Sequence, residues 1–254
     1  MPTLTQAYQS ELKRTRHAVA ARVAANWRRL PDLRDERIPS FIAATLPVVK
    51  AGQGRAVALT SAYLSKKLGV APVGLDVESL VGANVRNGVN PEVVYRRPFI
   101  TARAAIFAIG IAAATEKGLS RLMATADMDV AMAGRDANLA YASESGDQII
   151  GWTRVADGGC CDFCQSIDGA TTGPDEPQPL HNRCGCTADP ITRSSGSGSG
   201  GFGLGSILAA GVVIGEGIAA VMIHEHGELG PVIGAAGDNF AGPDDLNDPG
   251  YVES

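Results

Sequence analysis

Helical spacing of apolar residues dominates the beginning of the chain. Between Thr3 and Leu30 the apolar positions recur at steps of four and seven, which places them on one stripe of a helix. Pro31 cannot continue that helix and marks its end. The pattern therefore predicts a long amphipathic helix that packs against other elements. Its apolar stripe consists of Leu4, Tyr8, Leu12, Val19, Val23 and Trp27.

A second helix is predicted over residues 39–68, where apolar positions again follow a helical spacing. Pro47 removes a backbone donor, and Gly52 and Gly54 weaken a helix, so we expect a kink or a split in this region. Gly69 is a suitable C-terminal cap, because glycine adopts the left-handed conformation at little cost.

Further helices are predicted in the middle of the chain. A short helix is expected over residues 76–82. Asn90 followed by Pro91 is a typical cap and first residue of the next helix. Pro98 is expected to interrupt it. Residues 101–116 are rich in Ala and Ile and have no polar face, which predicts a buried helix.

The pattern changes near residue 140. Residues 119–139 still follow helical spacing, so residues 1–140 are predicted to form a mainly α-helical domain. Residues 147–155 alternate apolar and polar and contain β-branched and aromatic side chains, which predicts a strand. Residues 141–192 are therefore predicted to form a small module with β structure. A unit of this size buries too little apolar surface to be stable alone.

Two segments of different character follow. Residues 193–205 are a Ser/Gly repeat and are predicted to be a flexible linker. Residues 206–254 combine an apolar segment with an acidic end that is predicted to be disordered. The apolar part, 206–223, is about as long as a membrane span, but Glu216 lies inside it and costs a few kcal/mol in a bilayer. We expect it to pack on a partner or to contact a membrane only transiently.

Charge is distributed unevenly along the chain, although the net charge is only −5. Residues 13–37 are rich in Arg and Lys, whereas no Lys or Arg follows Arg193. Such asymmetry can steer association with oppositely charged partners, but ordinary solvated surfaces are the interpretation that we prefer. The first residues do not have the pattern of a signal peptide. We therefore expect the cysteines to lie in a reducing compartment, which favours metal ligation over disulfides.

All five cysteines lie between Cys160 and Cys186. Cys161 and Cys164 form a C-x-x-C pair, Cys184 and Cys186 a second pair, and His181 lies close by. Tetrahedral Zn²⁺ takes four such sulfur and nitrogen ligands, and a closed shell of this kind is structural. We expect Cys161, Cys164 and two of His181, Cys184 and Cys186 to bind one Zn²⁺. Cys160 is expected to point elsewhere. Metal binding contributes on the order of 10 kcal/mol to folding.

The predicted fold is thus mainly α. A helical domain precedes a small α+β or β module held together by the Cys/His cluster, and a flexible Gly-rich tail follows. Other chemistry remains open for the cluster. The two cysteine pairs could form disulfides with each other. A cysteine nucleophile could pair with His181, oriented by Asp157 or Asp162, although no known nucleophile signature surrounds it. A thioredoxin-like dithiol needs a βαβ context that the sequence does not show.

The run from Gly151 to Cys186 resembles the C-terminal module of the MuF-like minor head proteins of tailed bacteriophages, those of actinobacterial hosts most of all. In that family a strand with Arg, an acidic turn, C-x-x-C, an Asp-Gly pair and H-x-x-C-x-C follow one another. The chain departs from the commoner pattern at Asn182, where Pro is usual, and at Gly185, where Arg is frequent. The matching residues are Arg154, Asp157, Cys161, Cys164, Asp168, Gly169, His181, Cys184 and Cys186.

The resemblance implies a structural protein of the virion head, present in few copies near the portal or inside the capsid. The implied partners are the portal protein, the major capsid protein or scaffold and, less directly, packaged DNA. During assembly the protein would be in the host cytoplasm. Several relatives are labelled capsid maturation proteases, but no Ser/His/Asp arrangement is recognisable here.

Besides a structural head protein and a maturation protease, a third hypothesis is a zinc module that binds nucleic acid through basic residues of the first helix. It predicts strongly salt-dependent binding. Aromatic residues are only 5% of the chain, which argues against stacking of single-stranded bases. The basic residues in question are Arg14, Arg16, Arg22, Arg28 and Arg29.

Overall fold

The computed structural model of the protein describes residues 2–176 and 184–193, all of which lie in one compact unit. This part is mainly helical and contains a small three-stranded sheet and a cysteine cluster, which confirms the predicted fold class. His181, the Ser/Gly linker beyond Arg193, the apolar segment 206–223 and the acidic end fall outside the described residues.

The first predicted helix is present as α1, Leu4–Arg28. Thr3 and Gln6 form a capping box, in which each side chain accepts a hydrogen bond from the other residue's backbone N–H. The predicted apolar stripe is buried from Tyr8 to Trp27. Trp27 packs against Phe41 and Phe99, with ring centroids 5.7 and 4.7 Å away.

The second helix, α2, spans Ile38–Leu68 without a break, so the expected split is wrong. Pro47 lies inside it, and the glycines serve close packing instead. A Cβ at Gly52 would lie 2.3 Å from a methyl carbon of Val19 in α1, so the two helices approach closely there. Gly69 caps α2 in the left-handed conformation as predicted, with φ of 69°. The short helix expected next is a 3-10 helix, Val77–Leu80, followed by another, Gly82–Arg86.

The third helix, α3, spans Pro91–Glu144 and begins as predicted, with the Asn90 side chain accepting a hydrogen bond from the backbone of Glu92. Pro98 does not interrupt it. The interruption lies at Gly110, whose φ of 78° and ψ of 162° are not helical. Glycine reaches these angles at little cost, which explains why the chain turns there.

The turn at Gly110 divides α3 into two limbs, 91–109 and 111–144, that run antiparallel. Near the open end of this hairpin, the Tyr95 hydroxyl donates a 2.8 Å hydrogen bond to Asp129. Closer to the turn, Gly118 lies against Ala102. The prediction of a buried helix over residues 101–116 is wrong, because most of these residues are exposed.

Gly118 offers a test of this hairpin. A Cβ at this position would lie 2.8 Å from Ala102 Cβ, 2.8 Å from the Pro98 carbonyl oxygen and 2.9 Å from the Trp27 ring. Gly118→Ala is therefore expected to destabilise the protein by about 1–3 kcal/mol, measured by urea unfolding. Gly134→Ala is the control, because its nearest contact is an ordinary 3.5 Å and alanine favours helix. Equal stability of the two variants would contradict this packing.

The sheet follows the helices and packs on them. Strand β1, Ile149–Val155, confirms the predicted strand and lies between β2, Thr171–Thr172, and β3, Thr187–Thr192, with antiparallel pairing throughout. Trp152 is 1% exposed and belongs to the same hydrophobic core as the helices. The small sheet thus obtains from the helices the buried area that it lacks alone.

Candidate metal centre

The sheet brings the two cysteine pairs to the same end. Val155, the last residue of β1, is paired with Thr187, the first residue of β3. The segment after β1 leads into helix α4, Asp162–Ser166, which contains Cys164. Cys184 and Cys186 lie immediately before β3. Antiparallel pairing of β1 with β3 therefore places cysteines that are twenty residues apart in sequence side by side.

Three of these thiols form a buried group, the cysteine cluster of Cys164, Cys184 and Cys186. Their exposed fractions are 0%, 2% and 6%, and the three Sγ atoms lie within 4.8 Å of one another. The Cys164 and Cys184 sulfurs are 3.8 Å apart. Tetrahedral thiolates with bonds of about 2.3 Å to one Zn²⁺ have sulfur–sulfur edges of about 3.8 Å. The cysteine cluster can therefore hold a metal ion, and only small shifts are needed.

Two further cysteines border the cluster. Cys161 is exposed, and its thiol contacts that of Cys164. Backbone N–H groups donate to the Cys161 sulfur and lower the pKa of its thiol, and the N–H of Cys164 has the largest effect. Cys160 was expected to point elsewhere, but it packs against the cluster and contacts the Cys186 thiol. A fourth ligand can thus come from Cys160, Cys161 or His181, the last outside the described residues.

The fourth ligand can be identified by substitution. Cys160→Ala, Cys161→Ala and His181→Ala should be compared for metal affinity by competition with a chromophoric chelator. The variant that lacks the fourth ligand is expected to bind far more weakly than the other two. Equal affinity of all three variants with the parent would mean that water or another group completes the shell.

Arg154, a residue of the matched motif, contacts the cysteine sulfurs directly, which the sequence did not predict. Its side chain is 2% exposed, and its Nη2 donates to the sulfurs of Cys164 and Cys184 at 3.2 and 3.3 Å. Burial lowers the pKa of this guanidinium, but the hydrogen bond to Cys164 and the charges of the neighbouring thiolates outweigh it and raise the pKa. A buried cation facing sulfur fits a cluster that carries net negative charge when thiolates bind a divalent ion.

Without an ion the cluster favours neutral thiols. Burial raises the pKa of Cys164 to about 12, and it also raises the pKa of Cys186. Buried thiolates of this kind need a positive partner, and a metal ion that displaces the protons supplies one. Arg154 supplies only part of that charge, because one guanidinium faces three sulfurs.

Helix α1 holds the second cysteine pair in place. Arg16 donates to the backbone carbonyl of Cys184 and forms a two-pronged ion pair with Asp127 of α3. Gln9 donates to the Val155 carbonyl at 3.0 Å. Arg16 is only 5% exposed, so its predicted contact with nucleic acid is wrong. The other four arginines named for that role, Arg14, Arg22, Arg28 and Arg29, are exposed.

Gly185 fits closely against Asp157. A Cβ at Gly185 would lie 1.9 Å from an Asp157 carboxylate oxygen. That carboxylate also accepts a 2.5 Å hydrogen bond from Gly159 and pairs with Lys13 at 3.4 Å. A side chain between the last two cysteines would therefore require the Asp157 carboxylate to move.

Gly185→Ala is therefore expected to push the Asp157 carboxylate away from Gly159 and Lys13 and to weaken metal binding by up to about tenfold, by analogy with the loss of supporting contacts at other metal sites. Chelator competition measures the affinity. Gly158→Ala is the matched control in the same loop, because a Cβ there meets nothing within 4 Å. Restored binding in the Asp157→Ala, Gly185→Ala double variant would show that the clash is the cause, and an unaffected Gly185→Ala variant would contradict it.

The other roles considered for the cysteines are disulfide bonds, a thioredoxin-like dithiol and a nucleophile paired with His181. All five cysteines are free thiols in the structure. Strand pairing is antiparallel throughout the described residues, so they contain no βαβ unit of the thioredoxin kind. Asp162, one carboxylate considered for orienting a nucleophilic pair, is exposed, and the other, Asp157, faces Lys13 and Gly159.

Comparison of the chain with protein-family models, with curated proteins and with solved structures gives no match in any of the three.

Proposed function

We propose that the protein is a structural minor component of a tailed-phage head, located near the portal or inside the capsid, and that its cysteine cluster holds a structural Zn²⁺. The observation that carries the proposal is the convergence of Arg154, Cys164, Cys184 and Cys186. These residues belong to the ordered motif on which the resemblance to MuF-like proteins rests. Because these residues meet in one buried group, the motif corresponds to a site in the folded protein and supports the resemblance.

Zinc is the ion that this ligand chemistry favours. Soft thiolates select zinc, copper(I) or iron–sulfur clusters, and a sulfur-rich tetrahedral shell is typical of structural zinc. The cluster is buried, so a bound ion has little access to water or substrate. We infer a structural role for the ion, which would fix the segment after β1 against the start of β3.

The contacts of the module with the helices support a role as a rigid attachment body. Asp189 of β3 accepts a 2.6 Å hydrogen bond from Tyr63 and pairs with Lys67 at 2.9 Å, and both partners belong to α2. On the other side, Arg16 of α1 holds Cys184. A partner that binds the module would therefore be held in a fixed position relative to the helices. Docking to portal or capsid proteins fits such an arrangement.

Incorporation into heads tests the proposal. Particles should be assembled with the parent protein and with the Cys164→Ala variant, purified and analysed by quantitative mass spectrometry. We expect a few copies of the parent per head, and fewer or none of the variant. Absence of the parent from both immature and mature heads would reject the proposal. Cleavage of the capsid or scaffold protein that depends on this protein would instead favour a maturation protease.

A further inference from the structure

The turn of the α3 hairpin exposes an apolar tip, defined here as residues 107–113. Every residue of the tip is exposed, and every one is Phe, Ile, Ala or Gly. Phe107 is 101% exposed and Ile111 is 68% exposed. Single exposed apolar side chains are ordinary, but a continuous apolar patch of this kind marks a binding surface.

The tip is not the surface of a buried core helix. An 18-residue window of α3 is apolar enough to cross a membrane, yet only 22% of it is buried. The packed part of the hairpin ends below the tip, where Ala102 and Ala114 are fully buried. The two limbs are thus fixed at their base, and the apolar tip extends beyond that packing.

Charge on the limbs indicates what the tip contacts. Residues 104–115 contain no charged side chain. The flanking stretches 96–103 and 116–121 contain five basic residues and one acidic residue, Glu116. Of the basic residues, Arg103 pairs with Asp35 at 2.7 Å, while Arg96, Arg97 and Lys117 are exposed. These basic residues of the two limbs, Arg96, Arg97, Arg103, Lys117 and Arg121, are called the basic collar. An apolar tip next to a basic collar is complementary to an anionic surface that covers an apolar interior.

We propose that the tip inserts into the interface of an anionic phospholipid membrane. From Arg103 and Lys117, the basic residues nearest the turn, to Gly110 each limb has about six residues, a depth of about 9 Å at 1.5 Å per residue. Interfacial elements are buried about 5–10 Å deep. The non-helical backbone at Gly110 interrupts the helical hydrogen bonding, which disfavours a position in the hydrocarbon centre. The tip therefore enters one leaflet and does not span the bilayer.

A second copy of the chain fits the tip less well. Pairing of two tips would bring two basic collars together, and like charges oppose that arrangement. A fluid lipid surface also requires no groove of matching shape. The inference is independent of the proposed role in the phage head, so either can fail without the other.

Flotation with vesicles tests the inference on the full chain. We expect the protein to float with phosphatidylcholine vesicles that contain phosphatidylglycerol, and to bind pure phosphatidylcholine vesicles more weakly. Phe107→Asp should reduce binding at least about tenfold, because it removes the largest apolar side chain of the tip and adds a charge. Arg97→Glu with Lys117→Glu should abolish the preference for the anionic vesicles.

The control is Val70→Asp, which places the same charge at an exposed apolar residue after α2. It should bind vesicles like the parent. Circular dichroism should show equal helicity for all variants, since Phe107 contributes nothing to the core. Failure of the parent to float, or parental binding by Phe107→Asp, would overturn the inference. So would self-association that Phe107→Asp abolishes without any vesicle binding, which would make the tip an interface between copies.

Discussion

The Cys164→Ala variant is expected to lose its metal ion and the fixed structure of the module, while the three long helices remain. Cys164 is fully buried at the centre of the cysteine cluster. Structural metal binding contributes on the order of 10 kcal/mol, far more than any single side chain of a small sheet. The helices have their own core around Trp27, Phe41 and Phe99, which does not involve the cluster.

Metal content and amide hydrogen exchange measure the two effects together. Exchange of the amides in β1 and β3 should become fast, whereas amides of α1 and α2 should keep most of their protection. Asp162→Asn is the matched control, because Asp162 lies in the same short helix and is exposed. It should keep its metal. A Cys164→Ala protein with unchanged metal content and unchanged exchange would contradict the assignment of Cys164 as a ligand.

Asp127→Ala is expected to destabilise the protein by about 3–5 kcal/mol, because it leaves the buried Arg16 guanidinium without its counter-ion. The side chains of this pair are only 6% and 12% exposed. For a protein of this size, such a loss lowers the melting temperature by roughly 6–20 °C. Thermal unfolding followed by circular dichroism measures it.

Two controls separate the loss of a partner from the loss of charge. The double variant Arg16→Met, Asp127→Leu should recover only part of the stability, because an apolar pair of similar volume replaces a buried ion pair at little cost, whereas the Cys184 carbonyl loses the hydrogen bond from Arg16. Glu11→Ala breaks the pair of Glu11 with Arg14, whose side chain is 71% exposed, and should cost less than about 1 kcal/mol. An Asp127→Ala variant as stable as Glu11→Ala would contradict the buried pair.

Local signals in the sequence predicted the elements well wherever they were strong. The period of the apolar residues identified α1, the Asn90 cap identified the start of α3, and alternation identified β1. Proline was less informative. Pro47 and Pro98 are accommodated inside helices, since packing of the long helices outweighs one missing hydrogen bond.

Burial could not be predicted from composition alone. Residues 101–116 have the composition of a core helix, and only the turn at Gly110 reveals that they form the end of a hairpin. No local pattern distinguishes an apolar residue that meets a partner within the chain from one that does not. The glycine turn was missed because isolated glycines inside a helical pattern are usually tolerated.

The cysteine cluster was predictable as a group but not in detail. The crowding of cysteines indicated a shared site, and three of the five meet as expected. Side-chain direction decides the rest, so Cys160 contacts the cluster and Cys161 lies at its exposed edge. Arg154 was recognised as a matching residue of the motif, yet its contact with the sulfurs depends on the register of β1.

The presence of the metal is tested by the metal content of the purified protein, measured together with the reactivity of its thiols towards a chromogenic reagent. We expect one zinc ion per chain, with the thiols of Cys164, Cys184 and Cys186 protected until a strong chelator is added. Metal-free protein whose sheet survives alkylation of every cysteine would contradict it.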